Sequence, residues 1–394
     1  MHDVVVVGGS IAGFMAASEL RASGFDGRIR IVADEPIRTY ERPPLSKGVL
    51  AGDDADSTAW SAASDDALDV DWLLGERAVS LDATGRSLGL RSGDSLDFDG
   101  LVIATGASPR RLPGQPDLAG IHVVRTLDDS LGLRADLDAG AERVAVIGAG
   151  FIGAEVAATC RRRGHEVVLI EPLEQPLARV LGSEIGAIVA EVHRSEGVDV
   201  RLGVGVDEIV GDQRVESVRL SDGSVLDVDV VVVGIGVTPS TGWLDGSGLP
   251  VDDGVVADAT CAVAPGIVAC GDVARWDSPR YGSVRIEHWD HAVEMGRAAG
   301  RRLLADAGTG SSEPAVFDPV PWFWSDQYDV RIQLAGRADG DMVITDGSVE
   351  DGKFVALYGR DGRVTGALGW NWPAKTVRYR MALEQGLAWD EAVG

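Results

Sequence analysis

The residues with the clearest chemical potential are three glycines and one acid. Gly148, Gly150 and Gly153 are spaced as G-x-G-x-x-G, and Glu171 follows 18 residues after the last of them. In such a turn the first glycine permits the tight bend, the second lets the backbone approach a pyrophosphate, and the third allows close helix packing. A carboxylate such as Glu171 suits a ribose 2′-hydroxyl and repels a 2′-phosphate, so the segment predicts NAD binding in preference to NADP.

The elements that must position these residues are also visible in the sequence. Val144–Ile147 and Val167–Ile170 are short apolar runs, typical of buried parallel strands, and they flank the turn and a helical segment. The N-terminus of that helix offers free N–H groups and a partial positive charge to phosphate groups. A glycine-rich turn that only packs is the alternative, and the presence of both strands and the acid disfavours it.

A similar unit begins the chain, with strand Val4–Val7, a glycine turn, helix Phe14–Ser23 and strand Ile29–Val32. Its turn contains Gly8 and Gly13, but Ser10 stands where the second glycine belongs. A serine side chain is small enough to leave the backbone near a phosphate. Asp34 or Glu35 supplies the acid at the end of the second strand. Two such units in one chain predict two dinucleotides, one of them a resident redox cofactor that the other reduces.

Three further segments contain candidate ligand-binding residues. Pro43 and Pro44 predict a stiff loop without regular secondary structure, on which Arg42 and Lys47 face an anionic or electron-rich cofactor. A solvated surface loop is the alternative for that segment. The strand Leu101–Ile103 ends in Ala104, Thr105 and Gly106, small residues that a ligand can approach, and Gly271-Asp272 follows another strand. Asp272 is interpreted either as a helix N-cap or as an acceptor for the polyol linker of a flavin dinucleotide.

The remainder of the chain predicts a completed second unit and a different C-terminal region. Leu181–Glu196 reads as one helix, and a helix opens at Glu287–Trp289 and runs to about Leu304. After about Val316, short strands with glycine turns predict an antiparallel sheet closed by a helix; these segments are Asp329–Gly336, Asp341–Gly347, Lys353–Gly359, Val364–Trp370 and Pro373–Gln385.

Composition excludes several classes of function. A formal net charge of −26 over 394 residues argues against nucleic acid and anionic membrane as partners. Cys160, Cys261 and Cys270 are isolated and form neither a metal-ligand pattern nor a redox pair, so no metal site is expected. With no visible signal peptide and no apolar run of membrane length, we expect a reduced, cytoplasmic protein of two or three domains.

Taken in order, these motifs resemble the FAD-dependent ferredoxin reductases that serve Rieske oxygenases and cytochromes P450. That branch belongs to the flavoproteins with two dinucleotide domains that include glutathione reductase. The segments Arg42–Lys47 (Arg-Pro-Pro-Leu-Ser-Lys) and Pro321–Gln327 (Pro-Trp-Phe-Trp-Ser-Asp-Gln) are the branch-specific ones. The implied fold class is α/β, with two Rossmann-like dinucleotide-binding domains and a C-terminal α+β domain. The implied boundaries are 1–111 with 239–315 for FAD, 112–238 for NAD and 316–394 for the C-terminal domain.

The resemblance also implies roles for individual residues. FAD would be held by Gly8, Ser10, Gly13, Asp34, Glu35, Arg42, Lys47, Ala104, Thr105, Arg110, Asp272 and Trp289. NADH would be held by Gly148, Gly150, Ile152, Gly153, Glu155, Glu171 and Gly236. Lys47 and Glu155 would form an ion pair beside the flavin, where the nicotinamide docks, although Glu155 alternatively only complements a helix dipole. Trp322, Trp324, Asp326 and Gln327 would cover the flavin on the partner side.

The implied function is electron transfer from NADH through FAD to a [2Fe–2S] ferredoxin, and indirectly to a cytochrome P450 or Rieske oxygenase. The alternatives are a rubredoxin reductase, a peroxide-forming NADH oxidase and a signalling flavoprotein of the apoptosis-inducing-factor kind. A monomer is preferred. Because such ferredoxins are acidic, as this chain is, we predict a local arginine patch beside the flavin mouth, with the candidates Arg297, Arg301, Arg302, Arg331, Arg378 and Arg380.

Overall fold

The structure is a computed structural model that describes residues 1–60, 68–308 and 314–394. The chain forms two compact units, each assembled from three separate stretches of sequence. The first comprises Met1–Glu41, Ala59–Ser108 and Thr238–Pro321, and the second comprises Arg42–Thr58, Pro109–Val237 and Trp322–Gly394. The three-domain division stays a prediction, and residues 61–67 and 309–313 of its FAD domain lie outside the described residues.

The centre of the first unit is a six-stranded sheet. In spatial order its strands are Ala262–Ala264, Ile267–Ala269, Gly100–Ile103, Asp3–Val7, Arg28–Ala33 and Asp71–Leu74. Only the first of these neighbouring pairs is antiparallel. The valines of the central strand are buried, because a parallel sheet is covered on both faces. Helices Ile11–Ala22 and Trp289–Asp306 pack against each other in this unit.

Smaller elements complete the first unit. Two three-stranded sheets are formed by Ala78–Asp82, Ser87–Leu90 and Ser95–Asp97, and by Val255–Ala257, Ala274–Ser278 and Gly282–Val284. Single 3-10 turns lie at Gly242–Leu244 and Gly271–Val273, and two short strands, Ala107–Pro109 and Val237–Pro239, lie at the boundaries of the units.

The second unit contains the other dinucleotide-type sheet. Its five parallel strands are, in spatial order, Asp199–Leu202, Glu166–Glu171, Arg143–Ile147, Val230–Val233 and Ile121–His122. The associated helices are Leu127–Asp138, Phe151–Arg162, Ala178–Leu181 and Ser183–Ser195. A small antiparallel sheet adds Val206–Gly211, Val215–Leu220 and Val225–Asp227. Both predicted strand–turn–helix–strand units are therefore present.

The C-terminal part of the second unit is an antiparallel sheet with two helices. Its strands are ordered Trp322–Gln327, Val330–Gly336, Arg363–Trp370, Lys353–Arg360 and Asp341–Ser348, and the helices are Pro373–Glu384 and Trp389–Val393. The first of these strands was not predicted, although its side chains alternate between buried and partly exposed as a half-buried strand requires.

The prediction that Pro43 and Pro44 prevent regular secondary structure is wrong. Pro43–Ser46 forms a 3-10 helix with proline in its first turn, and Gly48–Ala51 forms a short α-helix; Ala55–Thr58 is another 3-10 turn. Proline lacks an N–H, but the first N–H groups of a helix have no intrahelical partner anyway, so proline is well suited to a helix start.

The helix predicted over Leu181–Glu196 is present as Ser183–Ser195, and its predicted first residue, Leu181, instead ends a separate short helix, Ala178–Leu181. The chain breaks at Gly182, whose φ of +81° lies in the left-handed region, and the second helix begins at Ser183. The first helix of the chain also begins earlier than predicted, at Ile11 instead of Phe14. It therefore starts directly at the glycine turn.

Candidate functional site

The second glycine turn has the geometry that a dinucleotide requires. Gly148 has a φ of +97°, and a Cβ there would lie 2.4 Å from the carbonyl oxygen of Gly234. A Cβ on Gly153 would lie 1.9 Å from the oxygen of Gly148, so helix and turn pack too closely for a side chain. A Cβ on Gly150 would meet nothing within 4 Å. Gly150 is the N-cap of helix Phe151–Arg162 and provides no side-chain cap, which leaves room and N–H donors for an anion.

Glu171 lies at the end of its strand and contacts this turn directly. Its Oε2 accepts a hydrogen bond of 2.8 Å from the Ala149 N–H, and its Oε1 accepts one of 3.0 Å from the Leu173 N–H. The carboxylate is buried. It therefore stabilises the turn, and its role toward the NAD ribose stays a prediction.

The first glycine turn, in the first unit, repeats this geometry despite its serine. A Cβ on Gly8 would lie 2.1 Å from the oxygen of Ala104, and one on Gly13 would lie 2.0 Å from the oxygen of Gly8. Ser10 has φ −87° and ψ −175°, close to the φ −73° and ψ −178° of Gly150. Both conformations are extended and open to any residue. Ser10 therefore preserves the backbone of the turn, and the residues fit a second dinucleotide.

Other predicted FAD residues of the first unit have defined contacts. Asp34 is about half exposed and pairs with Arg77, whereas Glu35 accepts a 2.6 Å hydrogen bond from the Tyr40 hydroxyl. The Thr105 hydroxyl donates to the Ser240 carbonyl at 2.9 Å. Trp289 is the first residue of its helix, and its ring lies 6.3 Å from that of Trp60.

The interpretation of Asp272 as a helix N-cap is wrong. The N-cap of the 3-10 turn Gly271–Val273 is Cys270, and Asp272 lies inside the turn. The flavin-linker interpretation of Asp272 stays a prediction.

In the second unit, the segment after Arg42 is fixed to two helices by side chains that donate to its carbonyl groups. The Ser130 hydroxyl donates to Leu45 O and the Thr159 hydroxyl donates to Ser46 O, both at 2.7 Å. The Arg42 guanidinium donates to the Arg125 carbonyl. Because these bonds satisfy buried carbonyl groups, the segment holds its side chains in fixed positions.

Lys47 and Glu155 meet, as the resemblance implied. The Lys47 ammonium lies 2.6 Å from Glu155 Oε2, and the Ser46 hydroxyl donates to the same oxygen at 2.6 Å. The Ser325 hydroxyl donates to Glu155 Oε1 at 2.7 Å. The Glu155 side chain is 3% exposed and that of Lys47 is 23% exposed. The two branch-specific segments and the second glycine turn's helix thus converge on one buried carboxylate, which is more than a helix-dipole contact.

Sequence reasoning missed Ser46 and Ser325 as site residues. Both lie inside motifs that were identified, but positions 46, 155 and 325 are far apart in the chain. Trp324 lies on the same strand as Ser325 and is partly buried, and Ile152, in the first turn of its helix, is 46% exposed. Arg110 donates through Nε to the Val237 carbonyl at 2.9 Å and through its backbone N–H to Gly236 O at 2.9 Å.

Most members of the predicted arginine patch are occupied by other side chains. Arg301 pairs with Glu19, Arg302 with Asp306 and Arg331 with Asp326, whereas the Arg380 guanidinium lies 5.6 Å from the Trp322 ring centroid. Ion pairing with carboxylates lowers the positive potential that these arginines present. Arg297 and Arg378 are exposed and have no carboxylate partner among the residues that the structure describes.

All three cysteines are buried, and burial makes their thiols unreactive. Desolvation raises the pKa of Cys160 and of Cys270 to about 12, and it raises that of Cys261 well above its ordinary value. Because the thiolate is the nucleophile, no cysteine here supports disulfide exchange at neutral pH.

Two glycine turns of this geometry, one in each unit, are typical of oxidoreductases that use two dinucleotides. A family model described as pyridine nucleotide-disulphide oxidoreductase matches residues 2–296, and one described as reductase C-terminal matches residues 322–393. The chain therefore belongs to the pyridine nucleotide-disulphide oxidoreductase family, and the predicted fold class and the cofactors FAD and NAD(H) are confirmed.

Similar proteins cover almost the whole chain. Rhodocoxin reductase of Rhodococcus erythropolis is 37% identical over 97% of this chain and 89% of its own length. The ferredoxin--NAD(+) reductase component of a p-cumate 2,3-dioxygenase system of Pseudomonas putida is 36% identical over 92% of this chain and 87% of its own length. The crystal structure of a covalent putidaredoxin reductase–putidaredoxin complex matches with a TM-score of 0.91 and 33% identity, covering 98% of this chain and 93% of that one.

Proposed function

We propose that this chain is an NADH-dependent flavoprotein ferredoxin reductase. It passes electrons from NADH through FAD to a [2Fe–2S] ferredoxin that serves a cytochrome P450 or Rieske oxygenase. The observation that carries the proposal is the buried Glu155, on which the two branch-specific segments converge through Ser46, Lys47 and Ser325. The relatives named above are a rhodocoxin reductase and a ferredoxin--NAD(+) reductase component, and this chain matches them over 89% and 87% of their length, which supports the same function.

The residues of each unit have distinct tasks in this proposal. In the first unit, Gly8, Ser10 and Gly13 bind the FAD pyrophosphate, Asp34 or Glu35 binds its adenosine ribose, and Ala104, Thr105, Asp272 and Trp289 contact the rest of the molecule. In the second unit, the residues that the resemblance assigns to FAD are Arg42, Lys47, Arg110 and Trp324. The residues of that unit that bind NADH are Gly148, Gly150, Ile152, Gly153, Glu171 and Gly236. When bound, FAD takes two electrons from NADH and passes them on singly.

The Lys47–Glu155 pair orients the nicotinamide. A buried carboxylate that accepts three hydrogen bonds is fixed in position, and positioning is the main contribution that a protein makes to hydride transfer. The proposed domains are 1–111 with 239–315, 112–238 and 316–394. Among the described residues, no helix is long and apolar enough to cross a bilayer, and we propose a cytoplasmic location.

The test is an anaerobic titration of the purified protein, followed by absorbance. NADH should bleach the flavin at far lower concentration than NADPH, because Glu171 opposes a 2′-phosphate: two unit charges 4 Å apart repel by about 4 kcal/mol at an effective dielectric constant of 20. Glu171→Gln should reduce the preference for NADH over NADPH, because it removes the negative charge. Equal use of both nucleotides by the unchanged protein would contradict the role of Glu171.

The acceptor is tested next, with oxidised [2Fe–2S] ferredoxin and cytochrome c as the final acceptor. Charge reversal at the exposed Arg378 should slow ferredoxin reduction and leave NADH-to-ferricyanide turnover unchanged. Faster transfer to rubredoxin than to ferredoxin would favour the rubredoxin reductase alternative. Rapid oxygen consumption without a carrier would favour the oxidase, and a bleached flavin that transfers to no carrier would favour the signalling flavoprotein.

A further inference from the structure

Glu155 is one end of a longer chain of buried hydrogen bonds in the second unit. Ser325 Oγ, which lies 2.7 Å from Glu155 Oε1, is also 3.2 Å from Gln327 Nε2. Gln327 Oε1 lies 3.1 Å from His193 Nε2, and His193 Nδ1 lies 3.0 Å from the Tyr328 hydroxyl. The carboxylate is thus connected through three side chains to a tyrosine at the hairpin that follows Gln327.

The direction of every bond in this chain follows from the charge on Glu155. An ionised carboxylate only accepts, so Ser325 donates its single proton to Glu155 and its oxygen must accept from the Gln327 amide group. The Gln327 carbonyl oxygen then faces His193, which must carry its proton on Nε2. His193 Nδ1 is left to accept from the Tyr328 hydroxyl. All donors therefore point toward Glu155.

Burial and backbone strain indicate that the arrangement is fixed. Ser325 and His193 are 0% exposed and Gln327 is 1% exposed, so a broken bond here would leave a polar group without water. Tyr328 has a φ of +54°, a left-handed conformation that is costly for a bulky side chain. Its ring packs edge-on against His193, with centroids 5.3 Å apart. The strained backbone places the hydroxyl on the histidine.

The kinds of side chain in this hydrogen-bond network argue that it positions Glu155 and does not transport protons. Gln327 interrupts it, because an amide has no ready protonation change with which to pass a proton onward. Burial also lowers the pKa of His193 to about 4, so the ring stays neutral at physiological pH.

We propose that Ser325, Gln327 and His193 are positioning residues that orient Glu155 for hydride transfer from NADH. This inference rests on the proposed function, because Glu155 must lie at the nicotinamide site. His193 is part of helix Ser183–Ser195, whereas Ser325 and Gln327 are on strand Trp322–Gln327. The helix that follows the NAD-binding strands and the C-terminal sheet thus jointly set the direction of the carboxylate.

The first experiment measures anaerobic flavin reduction at saturating NADH by stopped flow. Ser325→Ala and Gln327→Glu should each slow it about tenfold, equivalent to about 1.4 kcal/mol, with the NADH concentration for half-saturation changed less than about twofold. Gln327→Glu keeps the shape but cannot donate to Ser325 when ionised. His193→Leu should slow the reaction about threefold, and His193→Gln, which retains a donor, should restore it.

Tyr358→Phe is the matched control. The Tyr358 hydroxyl donates to the Leu181 carbonyl at 2.7 Å, and Tyr358 is 2% exposed. The variant therefore loses one buried hydrogen bond of the same unit that is not part of the network around Glu155. It should lose stability without slowing flavin reduction. Rates for Ser325→Ala and Gln327→Glu equal to those of this control would overturn the proposal.

A second readout does not depend on activity. With ¹⁵N-labelled histidine, His193 should show a protonated Nε2 and an unprotonated Nδ1; the signal, one of six histidines, is assigned by its loss in His193→Gln. A proton on Nδ1 would overturn the proposed bond directions. If NADH failed to reduce the wild-type flavin, or if Glu155→Gln kept the full rate, the proposed function of the site would be refuted. The His193 tautomer would still test the proposed bond directions independently.

Discussion

Removing Lys47 should destabilise the protein more than neutralising Glu155, although the two form one ion pair. In Lys47→Met, a carboxylate that is 3% exposed keeps only the Ser46 and Ser325 hydroxyls as donors. An incompletely compensated buried charge of this kind costs about 2–3 kcal/mol. In Glu155→Gln, the remaining ammonium is 23% exposed and lies 3.2 Å from the Pro43 carbonyl, so it reaches water and an acceptor. That change should cost about 1 kcal/mol.

The assay is guanidinium unfolding at a fixed, saturating FAD concentration, because bound ligand itself stabilises the folded state. Fluorescence and circular dichroism midpoints must coincide before a single free energy of unfolding is derived. The double variant Lys47→Met with Glu155→Gln should cost about 1.5 kcal/mol, which gives a coupling energy of about 2 kcal/mol. The reasoning is refuted if Glu155→Gln costs more than Lys47→Met, or if the coupling is below about 0.5 kcal/mol.

Two further predictions concern pH and the first glycine turn. Burial lowers the pKa of His193 and His288 to about 4 and that of His291 to about 3, so these rings stay neutral when folded but protonate when unfolded below about 6.5. The free energy of unfolding should therefore fall by about 1.4 kcal/mol per histidine for each pH unit from about 6.5 down to the folded pKa. In His291→Asn, the denaturant midpoint should fall less steeply between pH 7 and 5 than in the unchanged protein. Equal slopes for the two proteins would contradict this prediction. Ser10→Gly should change the FAD affinity of the apoprotein by less than about fivefold, measured by fluorescence quenching, whereas Gly8→Ala should abolish binding; a large loss with Ser10→Gly would show that the hydroxyl binds the phosphate.

The local parts of the fold could be predicted because their causes are local. The valine run of the central strand indicates burial on both faces, and the glycine spacing at Gly148–Gly153 indicates a turn with no room for a Cβ. Each pattern depends on one segment alone. The error at Pro43 and Pro44 has an equally local origin. The missing N–H of proline argues against a helix interior, but these residues stand at a helix start, where the first N–H groups are unpaired.

The environment of Glu155 could be predicted only in part, because it depends on long-range pairing. The resemblance supplied Lys47, but nothing in the spacing of Ser46, Ser325 or His193 indicates that they share a hydrogen-bond network. Serine is mostly exposed in proteins and histidine is often partly exposed, so neither type signals a buried network, and their partners here lie more than 100 residues away. Only the pairing of the edge strand Trp322–Gln327 with strand Val330–Gly336 fixes which of its side chains face inward.

The role proposed for Glu155 suits a member of this family whose cysteines are all buried. Its cysteines are buried, and their raised pKa values keep them protonated. Because no cysteine of the chain is a reactive thiolate, the contribution that we propose for the protein is to hold donor and cofactor in a reactive geometry. A rigid carboxylate serves that purpose better than a mobile one. The donors on Glu155, reinforced through Gln327 and His193, provide that rigidity.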